Sequence, residues 1–140
     1  MLLRVRANDA LRRHPVSLGI VGSDGSTHLI EASRAMGEQF EIWYSVDPME
    51  GPLSSLSVTH AHLGHVDGLG LFGKEVMGAS HLTMHCSQSV ADLIENNPIW
   101  RALREQGVIV PNVWSSGEAF EPSLGCGFRI RPIPVPQRDE

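Results

Sequence analysis

Three histidines, His60, His62 and His65, fall close together in the stretch SVTHAHLGHVDGLGLFG. Imidazole suits zinc and similar borderline metals, and near neutral pH it binds without a large proton cost. Residues i and i+2 at the end of an extended strand project to one side, so His60 and His62 can face a single point. His65 follows Gly64, where the chain must turn toward a helix, and a glycine there allows a tight turn that returns the third ring over the strand end. The plainer alternative is three hydrogen-bonded polar side chains at a strand-to-helix corner. The H-x-H-x-x-H pattern between a β-like run and a helical one favours metal. A Zn²⁺ with three protein ligands lowers the pKa of its water to about 7, making hydroxide available to attack an ester, amide or phosphoester.

Other chemistry-bearing residues read as structural. His81 and His85 bracket the packing residues LTM beside Cys86 and are expected at the surface or in the core. Cys86 and Cys126 read as small buried apolar residues, and no base is identified that would activate a thiol. The turn GSDGS lacks the Lys-Ser/Thr and helix start of a phosphate loop.

The elements that must position the histidines follow from patterning. VSLGIV and THLIEA read as two strands joined by GSDGS, where Asp24-Gly25 supplies the positive φ of a tight hairpin. Met36, Phe40 and Trp43 share helical spacing within residues 33–43. DPMEGP is a loop, and LSSLSVTH alternates as a half-buried strand running into the histidines. Val66, Leu69, Phe72, Val76 and Met77 predict a helix over VDGLGLFGKEVMGA, with Gly68, Gly70 and Gly73 explained by close helix–sheet packing. HLTMHCS predicts a strand, and SVADLIENN a helix capped by Ser89. PIWRALREQG predicts a further short helix stopped by Gly107, while VIVPNVW and the proline-punctuated FRIRPIPVP are β-like, the latter an edge or terminal strand. Strands and helices interleave, so the expected class is α/β: a mixed β-sheet with helices packed on it.

The chain has 140 residues, 41% of them hydrophobic, with 14 Gly and 9 Pro, an ordinary globular composition with room for one core. Its net charge of −5 and the absence of any basic block argue against nucleic acid. The first residues carry no signal-peptide pattern, and no apolar run approaches the roughly 18 residues of a membrane span. Two cysteines are too few for a disulfide framework. A cytoplasmic protein with no membrane partner is expected.

The run THAHLGH, followed by a Gly-Leu-containing segment, resembles the H-x-H-x-D-H histidine motif of the metallo-β-lactamase superfamily. With HLIEASRAMGEQF upstream and PVPQRDE at the end, the sequence is most similar to the pyrroloquinoline-quinone biosynthesis protein B-like branch. The resemblance covers about Leu11 to Glu140. It implies an αββα metallo-hydrolase fold, a Zn²⁺ or other divalent cofactor, and metal ligation by His60, His62 and His65. It also implies a structural role for Glu31.

This sequence departs from the motif at two positions. Gly64 stands where the motif has its aspartate, which normally ligates a second metal. Gln137 stands where the superfamily has a further metal-binding histidine. Gln137 is thus a weak candidate ligand, and Asp67 a candidate substitute carboxylate, although a place in the first helical turn is the better explanation of Asp67. The chain as a whole, residues 1–140, resembles the N-terminal half of such a domain. The expected function is a metal-dependent hydrolase-like protein acting on a small molecule through one metal site, with weak or absent turnover. The alternative is a truncated, non-catalytic half-domain that binds metal or a partner. An incomplete sheet would leave a face or edge uncovered, so a homodimer or aggregation is expected.

Overall fold

The computed structural model describes residues 12–48 and 51–136. Five strands, β1 (Leu18–Val21), β2 (Thr27–Ile30), β3 (Ser55–Val58), β4 (Leu82–Cys86) and β5 (Ile109–Val113), form one sheet in sequence order. β1 pairs antiparallel with β2; β2 through β5 are parallel. The helices are α1 (Met36–Val46), α2 (Leu63–Val66), α3 (Gln88–Asn96) and α4 (Pro98–Glu105), with a 3-10 turn at Leu69–Phe72. The expected mixed α/β architecture is present. No described helix is long and apolar enough to cross a membrane.

The β1–β2 hairpin turns where expected, with Gly25 at φ +82°. Leu29, Leu56, Val58, Met84 and Cys86 point to one face and join Met36, Val66, Leu69, Phe72, Val90 and Ile94 in the core. The opposite face carries buried polar residues: His28, Ser55, Ser57 and His85. Residues 114–136 lie over it, placing Phe128 edge-on to His28 at 5.1 Å and stacking Phe120 on His85 at 4.6 Å. This face is therefore partly covered rather than bare.

Four local expectations are corrected. The helix expected over residues 66–79 is instead the single turn of α2, the 3-10 turn and a series of turns. Four glycines in that stretch, Gly68, Gly70, Gly73 and Gly78, cost about 1 kcal/mol each relative to alanine in a helix, which the apolar spacing does not overcome. Of these, Gly68 is locked by packing, since a Cβ there would lie 2.1 Å from the Ser33 carbonyl oxygen; at Gly73 it would be tight, 3.1 Å from the Gly70 carbonyl oxygen, and at Gly70 it would meet nothing within 4 Å. The cap of α3 is Ser87, whose Oγ accepts from the Val90 N–H at 3.4 Å, not Ser89. FRIRPIPVP makes one isolated bridge, Ile130 with Phe120, because its prolines remove ladder donors. Asp67 follows the end of α2 instead of opening a helix.

Candidate metal centre

Because β2 to β5 are parallel, their carboxyl ends share one edge of the sheet, where ligands bind in open α/β folds. Glu31 follows β2 there, and Thr59 and His60 follow β3. The register Ile30↔Ser57 brings the two corners side by side, and the Glu31 N–H donates to the Ser57 carbonyl at 2.9 Å. Ala32 N–H donates to His65 O at 2.9 Å, and Gly68 N–H to Ala32 O at 2.8 Å. The acidic corner and the histidine loop are thus clasped together, with no room for a side chain at Gly68.

Glu31 is 3% exposed and adopts φ +71°, a left-handed conformation that is uncommon outside glycine and asparagine. Such an outlier persists only when its surroundings impose it. Here both carboxylate oxygens are engaged. The Thr59 hydroxyl donates to Oε1, the Thr59 N–H donates to Oε2 at 3.4 Å, and His65 Nδ1 lies 3.3 Å from Oε2. The His65 contact is within ion-pair distance but outside hydrogen-bond geometry, so this buried nitrogen has no hydrogen-bond partner.

The Thr59 oxygen also sits 2.8 Å from His60 Nδ1. An ionised carboxylate only accepts, so the hydroxyl hydrogen goes to Glu31 and the oxygen accepts from His60 Nδ1–H. That fixes the tautomer of His60 and leaves a lone pair on Nε2, which lies 3.0 Å from His62 Nδ1. The His60 ring centroid is 4.6 Å from that of His62 and 4.0 Å from that of His65. Burial, followed by the neighbouring His65 and His62, lowers the His60 pKa below its ordinary value, and Glu31 offsets this in part. A neutral imidazole is the form a metal needs.

Glu31, His60 and His65 offer donor atoms within 4.8 Å of one another. His60 and His65 are thus brought together with Glu31, whereas His62, exposed at the start of α2, touches His60 and lies outside this group. Asp67 pairs with Arg34 at 2.5 Å and lies outside this group. Gln137 lies outside the described residues. Gly64 sits in α2 without a left-handed φ, and a Cβ there would meet open space, so the turn does not require glycine. Sequence patterning missed the closeness of Glu31 to the rings; its only signal was an acid directly after an apolar strand. The donor set and the unpartnered His65 nitrogen fit a divalent cation.

The fold is the metallo-β-lactamase fold. The chain resembles the crystal structure of Zn²⁺-bound PqqB from Methylobacterium extorquens, with a TM-score of 0.71 and 18% identity over 87% of this chain and 44% of that one. It also resembles the metallo-β-lactamase fold protein YhfI from Bacillus subtilis, with a TM-score of 0.51 and 16% identity over 71% of this chain and 38% of that one. At these identities the likeness is one of fold. The chain spans less than half the length of either structure. No protein-family model matches the sequence, and no curated protein does.

Proposed function

We propose that this chain holds one divalent cation at the His60–His62–His65 loop and works as a metal-dependent hydrolase-like protein. The observation that carries this reading is the path from Glu31 through the Thr59 hydroxyl to His60, beside the unpartnered nitrogen of His65. Zinc is the metal favoured by the imidazole-rich donor set. When bound, it supplies water activated at neutral pH for attack on an ester, amide or phosphoester.

The chain's own residues do the remaining work. Glu31 and Thr59 hold the proton of His60 on Nδ1 and leave Nε2 unprotonated, facing His62 Nδ1 at 3.0 Å. The Glu31 carboxylate balances cationic charge beside His65. Gly64 puts no carboxylate on the loop, which favours one metal and slow turnover over two metals and fast turnover. The outer edge of β1, which pairs with no further strand among the described residues and exposes Leu18 and Val21, offers a surface for pairing with a second copy.

The test is hydrolysis of 4-nitrophenyl acetate and bis(4-nitrophenyl) phosphate by metal-free and zinc-loaded protein. Slow, zinc-dependent hydrolysis that His60→Ala abolishes is expected. Equal rates with and without zinc would overturn the hydrolase reading, and zinc uptake without turnover would reduce it to metal binding.

A further inference from the structure

Next to the histidine loop, on the polar face of the sheet, lies a groove of about 390 Å³. Thr59, Ser87, Trp114, Ile130, Arg131 and Ile133 are among the residues that line it. Its volume falls within the roughly 300–1,000 Å³ of small-molecule sites. Thr59 belongs to both features, since its hydroxyl carries the contact between Glu31 and His60.

The charge of the groove is one-sided. Among the described residues, Arg131 is its only charged lining residue, in a chain with net charge −5. Arg12, Arg34, Arg101 and Arg104 each sit in an ion pair, and Arg129 donates to the Ala119 carbonyl at 2.6 Å. Arg131 has no ion-pair partner among the described residues. A guanidinium with no carboxylate partner among the described residues, at the wall of a groove whose other described lining residues are neutral, suits a carboxylate or phosphate. Trp114, Ile130 and Ile133 provide apolar area for the body of the same molecule.

We infer that this groove binds a small organic anion, with its carboxylate or phosphate on Arg131 and its apolar body against Trp114. The Thr59 end then leads to His60, so the groove orients a substrate toward the metal centre. That last step rests on the proposed function; the binding itself does not require the metal.

Calorimetric titration of the full chain with 1-naphthoate, 1-naphthyl phosphate and neutral 1-naphthalenemethanol, without zinc and with it, tests the assignment. At least one anion is expected to bind about tenfold or more tightly than the alcohol, the difference a charge-assisted contact supplies. Arg131→Gln is expected to erase that advantage while leaving the melting temperature unchanged, because Arg131 is exposed and has no ion-pair partner among the described residues. The preferred anion identifies the headgroup as carboxylate or phosphate. Equal binding of the alcohol, an unaltered affinity in Arg131→Gln, or self-association that buries the groove and abolishes binding would overturn the inference. Failure of the metal reading is distinguishable: zinc would then not bind, while the anion titration in its absence would be unaffected.

Discussion

Glu31 and His60 are joined through a single atom, the hydroxyl oxygen of Thr59, which donates to the one and accepts from the other. The neighbouring strand ends of β2 and β3 thereby act as one unit. Partners that orient a ligating histidine typically affect metal affinity by about 10–100-fold. Thr59→Val, which keeps the shape and removes the hydroxyl, is therefore expected to weaken zinc by about that factor. Thr59→Ser should retain most of the affinity. Competition with a chromogenic chelator measures both, and equal affinities for the valine and serine variants would contradict the relay.

Gly68 and Gly64 lie four residues apart and should respond oppositely to alanine. A Cβ at Gly68 collides with the Ser33 carbonyl, whereas at Gly64 it meets open space. Gly68→Ala is expected to lower stability by about 1–3 kcal/mol, the usual cost of overpacking, and to loosen the corner that holds Glu31. Gly64→Ala should be neutral or stabilising by up to about 1 kcal/mol, as expected for alanine replacing glycine in a helix. Urea midpoints of the two variants decide the matter.

Acid should weaken the fold through its buried histidines. Burial is the largest cause lowering the pKa values of both His28 and His85 below 6.5. The unfolded chain takes up protons as pH falls through 6.5, while the folded chain resists until lower pH. The stability these groups contribute is thus fully present above 6.5 and is lost as pH falls toward their folded values. His60 adds to the same trend. The urea midpoint is expected to be lower at pH 5 than at pH 7.5; a flat profile or a rise on acidification would contradict this.

The two thiols should be silent in the native protein. Both cysteines are buried, and burial pushes the Cys86 thiol up to about 11. Little thiolate exists at pH 8, so a disulfide reagent should titrate no thiols before denaturation and both afterwards. Rapid native reaction would mean that β4 or the segment around Cys126 opens readily.

Local chemistry made some of this legible in the sequence. Asp24-Gly25 marks the hairpin, Met36, Phe40 and Trp43 mark the inner side of α1, and the alternation before His60 marks β3. The rest depends on contacts distant in sequence. Glu31 reaches Thr59 only because β2 and β3 pair in parallel at Ile30↔Ser57, a register no local pattern reveals. The left-handed φ of Glu31 is likewise imposed by its surroundings. Apolar spacing after His65 suggested a helix, but a 3-10 turn and glycine-rich turns can bury Leu69 and Phe72 just as well. The groove beside Arg131 assembles from the ends of four strands and the 130–134 segment, so spacing alone could not show it.

Titration of metal-free protein with Co²⁺, followed by visible absorption, tests the metal centre most directly. Saturation near one equivalent is expected, with imidazole-type bands that disappear in His60→Ala and weaken in Thr59→Val. Absence of bands at excess Co²⁺, or an unchanged spectrum in His60→Ala, would contradict it.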